Sequence, residues 1–270
     1  MEAFYDVLFE VSNEDRHKIL LQLADNAMNV TQLSKIVGLS LTETSRHLSR
    51  LIEVGLTKKS AEGFYYITSY SELILRLLPG LHFVSSHKDH FSSHSLVRLP
   101  LEFVSRIGEL EECEYIDIVT VTIHNIERMI QEADEFMWNI GTIYPSSIPR
   151  LVGQALKRGV KGRSIDLRDW VTPPRLREAF LDEEWVRTIE RARADSSVEG
   201  RLVERNDVYL WMSEKEVAIL CFPKLDGGFD LLGFTSTDEH FHKWCSDLFK
   251  HYWEKAEPGW ISPSPPPGNR

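Results

Sequence analysis

The sequence predicts two architectures in succession: a small α+β domain, then a larger α/β domain with a mixed sheet. Three observations carry this. Residues 12–54 hold three short amphipathic runs at helical spacing, followed by a hairpin signal in LTKKSAEGFYYIT (56–68). From Tyr115 onward helical and β-rich runs alternate, and four β-rich runs fall between residues 201 and 236. Between the two patterns lies a Ser- and His-rich stretch, 81–99, with little rhythm of either kind.

The bulk numbers bound the function. The chain has 270 residues, 42% hydrophobic and 27% charged, which lets either half bury a core. No run approaches ~18 apolar residues, and the opening MEAFYDVLFEVSNED is acidic and amphipathic. A cytoplasmic protein without a membrane role is therefore expected. Cys113, Cys221 and Cys245 have no paired spacing. This fits a reducing compartment and argues against a disulfide framework or a zinc knuckle. The net charge of −10 counts against simple nucleic-acid binding, which relies on Lys and Arg meeting phosphates. However, residues 1–80 carry eight Lys/Arg and ten Asp/Glu, a net of −2, whereas the remainder carries 23 and 31, a net of −8. The acidity thus lies mostly in the second half, and salt screens charges beyond ~8–10 Å.

Residues 4–10 read as a short helix. Ser12 or Asn13 caps a second helix through Asp25, with Asp15 placed for a capping box and Ile19, Leu20, Leu23 and Ala24 on its apolar side. Thr31 caps TQLSKIV, which Gly38 ends. Ser40, with Glu43 three residues on, caps a helix to Val54 that stops at Gly55. Two short strands flank Ser60–Gly63, and Ser71–Leu78 is helical until Pro79-Gly80. Leu101–Leu110 is helical, IDIVTVTI (116–123) a strand, Asn125–Ile140 and Ile148–Lys157 helices, and VKGRSIDL (160–167) a strand. Helices at 174–181 and 183–194 precede strands at 201–205, 208–212, 217–222 and 230–236. Asn206-Asp207 and Asp226-Gly-Gly228 form turns among these strands. A closing helix, Asp238–Lys255, presents Phe241, Trp244, Cys245, Leu248 and Tyr252 as an apolar stripe. The domains expected are 1–79, a connector and helix at 80–112, an α/β domain at 113–257, and a disordered Pro/Ser tail at 258–270.

TQLSKIVGLSLTETSRHLSRLIEVGLTKKSAEGFYYIT (31–68) carries the function. Two helices joined by a Gly turn and followed by a hairpin describe a winged helix-turn-helix, whose second helix enters the DNA major groove. At 100° per residue, Leu41, Thr44, Leu48, Leu51 and Ile52 fall on one side of that helix. Arg46 and Arg50 point the opposite way, with Glu43 and Glu53. Arg matches guanine edges and phosphate. Ser40, Thr42, Ser45 and Ser49 are short donors near the same surface, Lys58 and Lys59 enter the wing, and Ser34 and Lys35 could meet phosphate. Double-stranded DNA is the expected partner, read by helix 41–54 and the wing at 57–67. A solvated face, with Glu43 and Glu53 pairing the arginines, is the structural alternative.

With those residues in view, the chain resembles archaeal winged helix-turn-helix regulators of the methanogenesis-regulator type, with an arsenical-repressor-like N-terminal domain. HSLVRLPLEFVSRIGELEECEYI (94–116), ALKRGVKGRSI (155–165) and the final helix carry the resemblance beyond the wing. It implies a homodimer whose C-terminal α/β domain binds a small effector of unspecified identity. Regulators with a phospholipase-D-like effector domain are a looser analogy.

Other chemistry is thinly marked. The chain has no glycine-rich dinucleotide loop, P-loop, nucleophile elbow, HExxH or phospholipase-type HxKxxxxD, so no enzyme activity and no cofactor are expected. His87, His90 and His94 would share a helical face and could hold zinc; the plainer reading is a solvated polar connector. For the effector, Trp138, Arg150, Arg163, Asp166, Arg168 and Trp211 are candidates at the loop ends of the sheet, offering guanidinium pairing and ring stacking. The rival readings are an enzyme that uses its winged domain for assembly, and a protein-interaction module.

Overall fold

The computed structural model describes residues 2–261. Its chain separates into two compact units, Met1–Leu81 and His82–Arg270. The tail from Ser262 to Arg270 lies outside the described residues.

The first unit holds α1 (Glu2–Val11), α2 (Glu14–Asp25), α3 (Val30–Val37), α4 (Leu41–Glu53), a hairpin of β1 (Thr57–Lys59) and β2 (Tyr65–Ile67), and most of α5 (Ser69–Ser86). Local chemistry sets the helix starts. Asn13 caps α2 by accepting from the Arg16 amide. Asn29, not Thr31, caps α3, because Gln32 sits three residues beyond it and closes a reciprocal capping box. Ser40 and Glu43 close the same box at the start of α4. Gly38 ends α3 at φ 74°, a conformation that side chains other than Gly resist. Ile19, Leu20, Leu23, Leu33, Leu48, Leu51 and Leu56 form the core.

The inner face of α4 differs from the angular expectation. Thr44, His47, Leu48 and Leu51 are buried, whereas Leu41 and Ile52 are exposed. α5 also continues past Pro79, where a helix stop was expected. Proline costs a turn one hydrogen bond but need not end it, and Phe83, beyond it, is buried in the core of the second unit.

The second unit is built on an eight-stranded mixed sheet, in the order β10-β6-β5-β4-β7-β8-β9-β3. These strands are β3 (Glu114–Ile116), β4 (Phe136–Ile140), β5 (Lys161–Leu167), β6 (Val198–Val203), β7 (Tyr209–Ser213), β8 (Val217–Cys221), β9 (Gly233–Ser236) and β10 (Glu257–Pro258). β4, β5 and β6 run parallel, and the other pairings are antiparallel. Helices cover both faces. α12 (Glu239–Lys255) buries Phe241, Trp244, Leu248 and Phe249 on one face, together with Phe103 of α7 (Leu101–Val104) and Ile107 and Leu110 of a 3-10 turn. α8 (Val119–Glu132) and α9 (Ile148–Lys157) bury Ile126, Met129, Ile130, Ile148 and Leu151 on the other. α10 (Pro174–Leu181) and α11 (Glu183–Ala194) extend that second layer.

Four expectations change here. The run 116–123 is mostly the start of α8: Thr122, Ile126, Met129 and Ile130 are buried at helical spacing, and tertiary packing overrides the β propensity of Val and Thr. Residues 136–140, expected as a helix end, are strand β4, hydrogen-bonded on both sides. The stretch 81–99 is no solvated connector; it carries α6 (Lys88–Ser93), and Phe83, His90, His94 and Leu99 are buried. Finally, the start of the presumed tail is ordered. Pro258 pairs with Arg201 in β10, and Trp260 lies against Gly200, where a Cβ would fall 2.5 Å from the indole.

Candidate nucleic-acid interface and effector cavity

α4 is held from beneath by its buried side chains, so its outer side faces solvent. Thr42, Ser45, Arg46 and Ser49 are exposed there, as are Lys58 and Lys59 of β1 and Lys35 of α3. Ser40 is exposed too, but its hydroxyl is spent on the Glu43 carboxylate at 2.6 Å. Ser49 donates to the Ser45 carbonyl. Glu43 is held below the usual carboxylate range, first by its hydrogen bonds from the Ser40 side chain and backbone. It is thus first a capping residue, with Arg46 a lesser electrostatic neighbour.

Two members of the expected set are placed differently. Ser34 is buried, and its hydroxyl donates to the Thr31 carbonyl at 3.1 Å. Arg50 is committed inside the unit. Its guanidinium donates from two nitrogens to Glu10, the shorter bond 2.7 Å, and lies over the Phe9 ring. The Glu10 hydrogen bond raises the Arg50 pKa. Glu10 is buried and also meets Arg16 at 2.8 Å, so one carboxylate ties together α1, α2 and α4. Arg46 is exposed and, among the described residues, makes neither a salt bridge nor a side-chain hydrogen bond.

The second unit contains a cavity of about 340 Å³, between the face of β4–β7 and the helices α9 to α11. Its walls are apolar and aromatic, among them Ile148, Phe180, Trp185, Trp211 and Trp260; Asn139, Tyr144, Ser164 and Asp166 form a polar pole. Tyr144 donates its hydroxyl to Asp166 and meets the Asn139 amide at 3.2 Å. Asp166 is 2% exposed. Burial pushes its carboxyl up to about 6, against the opposing hydrogen bonds from Tyr144 and Ser164.

Of the expected effector residues, only Asp166 and Trp211 have side chains directed here. Side chains alternate along a strand, and Arg163 turns to the other face of the sheet, where it pairs with Glu199 at 2.8 Å and stacks with Trp253. Trp138 is on that face as well, stacked on Phe249. Arg150 lines a separate polar groove with Glu178 and Asp182. Arg168 is spent on Glu204 and Glu257. The cavity also lies under helices on the sheet face rather than at the loop ends. Nothing local in the sequence marks Tyr144, Asn139, Phe180 or Trp185, which also line it.

The histidines of 87–94 do come together. His90 and His94 stack at 3.8 Å, Tyr115 meets His90 Nδ1, and Asp230 meets His94 Nε2 at 3.1 Å. His90 Nε2 is buried without a hydrogen-bond partner. Burial, then the neighbouring His94, lowers the His90 pKa to about 4. Among the described residues, no three His, Cys, Asp or Glu side chains are grouped to hold a metal, and no helix is long and apolar enough to cross a membrane.

Comparison with known proteins agrees with the first unit. No curated protein matches the chain. Residues 13–59 match the profile described as bacterial regulatory protein, arsR family. HlyU from Vibrio cholerae is 33% identical over 30% of this chain and 88% of its own, with a TM-score of 0.27. NolR from Sinorhizobium fredii is 34% identical over 30% and 81%, also with a TM-score of 0.27. TrmBL2, an archaeal chromatin protein, is 13% identical over 91% of this chain and 93% of its own, with a TM-score of 0.42. Residues 13–59 thus form a helix-turn-helix domain of the arsR type.

Proposed function

We propose that this chain is a DNA-binding transcription regulator that acts as a homodimer and changes its DNA affinity when its second unit takes up a small molecule. The observation that carries the reading is the solvent face of α4. Arg46 stands there outside any salt bridge among the described residues, with Glu43 turned to its Ser40 cap, flanked by Thr42, Ser45 and Ser49, with Lys58 and Lys59 on the adjoining hairpin. That pattern suits a helix entering the major groove while the wing holds the backbone. Arg50, bound to Glu10, positions the helix instead of reading bases.

Exposed apolar side chains support the dimer. Phe4, Tyr5 and Phe9 of α1, at 61–62% exposed, and Tyr70, Leu73 and Leu77 of α5 leave two apolar stripes open to water. A second copy of the chain would cover them, and two copies of α4 would read half-sites ~34 Å apart. The cavity beside Asp166 supports the effector; the chain is read as binding that molecule, not converting it.

The test is selection of bound duplexes from a random pool, followed by titration of the selected site. Arg46→Ala weakens binding by about 1–3 kcal/mol if it reads a base, or lowers the salt slope by about one if it meets phosphate. Its thermal stability stays within about 0.5 kcal/mol of wild type. With roughly 6–10 phosphates neutralised, affinity falls ~10³–10⁵ between 50 and 200 mM salt. A flat salt response, or full affinity in Arg46→Ala, removes the reading.

A further inference from the structure

We propose that the cavity of the second unit binds a small organic cation with an aromatic or branched apolar body, its ammonium seated on Asp166. This rests on the cavity being the effector site only for its regulatory consequence, since binding itself is independent of DNA.

The polar pole asks for a donor. An ionised carboxylate offers about four acceptor positions, and Tyr144 and Ser164 occupy two of those on Asp166. The rest belong to a side chain that is almost wholly buried yet lines the cavity. Among the described residues, no protein cation is seated on it. Arg163 lines the cavity as part of β5, but its guanidinium is on the far side of the sheet with Glu199 and Trp253. Arg193 of α11 is stacked over Trp260 at 4.1 Å. The remaining titratable groups of the lining are Tyr144, whose burial raises it well above its ordinary range, and the carboxylate Glu190. A buried carboxylate without a cation resists ionisation, and Asp166 does so. A ligand ammonium would supply the missing charge, whereas an anion would add a like one.

The walls match the rest of such a molecule. Tyr144 packs edge-to-face on Phe180 and Trp211, with centroids 5.9 and 6.0 Å apart, and Phe180 packs on Trp185 at 6.0 Å. Aromatic faces attract cations as well as apolar groups. The volume of about 340 Å³ lies at the small end of ligand sites, which span roughly 300–1,000 Å³.

Calorimetric titration of the full chain with three indoles tests this: tryptamine as the cation, indole-3-acetamide as the neutral form and indole-3-acetate as the anion. Tryptamine is expected to bind at least tenfold more tightly than either. Its affinity should fall about tenfold between pH 7.5 and 5, because a carboxyl titrating near 6 is mostly protonated at the lower pH. Asp166→Asn should abolish the preference with circular dichroism unchanged. If that variant fails to fold, the ligand ratios and the pH profile of the wild type still decide. Equal affinities, tighter binding of the acetate, no heat from millimolar tryptamine, or a preference surviving in Asp166→Asn overturns the proposal. Tryptamine that binds as expected but leaves DNA affinity unchanged upholds the ligand class and removes the effector reading alone.

Discussion

Glu10→Gln removes the carboxylate that Arg16 and Arg50 share while keeping its shape. The side chains of Glu10 and Arg16 are 4% and 7% exposed, that of Arg50 44%. Breaking a buried ion pair from one side costs about 3–5 kcal/mol, because the other charge stays behind without compensation. Arg16 keeps the Glu10 and Phe9 carbonyls as acceptors, which puts its loss at the lower end, about 3 kcal/mol. The half-exposed Arg50 pair adds about 0–1 kcal/mol. For a unit of this size each kcal/mol moves the melting midpoint ~4–8 °C, so the fall is roughly 12–30 °C. The assay separates the units by chromophore. All seven tryptophans lie at or beyond residue 138, so their fluorescence follows the second unit, while far-ultraviolet circular dichroism follows both. The early dichroism transition should drop while the fluorescence transition stays in place. A dichroism midpoint within about 3 °C of wild type would refute the argument that this carboxylate fastens α1, α2 and α4 together.

Two buried groups of the second unit, His90 and Asp166, act in opposite directions. His90, lowered to about 4, folds best uncharged; the stability it contributes is full above its ordinary 6.5 and lost as pH falls through 4. His90→Gln should therefore remove about 2–3 kcal/mol of the acid destabilisation seen between pH 7 and 4, read from urea midpoints; an unchanged acid loss refutes it. Asp166, raised from 3.8 to about 6, contributes stability below 3.8 that is lost as pH rises through 6. Asp166→Asn should gain up to about 3 kcal/mol relative to wild type above pH 6 and nothing near pH 4. A difference that does not vary with pH contradicts the assignment.

What was legible in the sequence was local. The box at the start of α4 spans four residues, Ser40 to Glu43, and the wing follows within a few more. α10, α11 and α12 also fall, to within one residue, over the ranges expected, 174–181, 183–194 and 238–255. Periodicity failed where burial was two-sided. β4 lies inside the sheet, hydrogen-bonded to β5 and β7, so it lacks the alternation that marks a half-buried strand and read as the end of a helix. α8 misled in the other direction, with Val119 and Val121 exposed at a helix start.

Arg46 and Arg50 are one turn apart and alike by angle, and the sequence by itself determined that both leave the core of α4. Only the folded chain sets them apart, because Glu10, forty residues away, reaches Arg50 and not Arg46. The same holds for Asp166. Its strand and side of the sheet follow from residue parity, but its isolation and its aromatic neighbours come from Tyr144, Trp185 and Trp211, on different elements. Caps and periodicity are short-range and leave their mark in neighbouring residues. Charge compensation and cavity shape depend on residues brought close by packing, which no local pattern records.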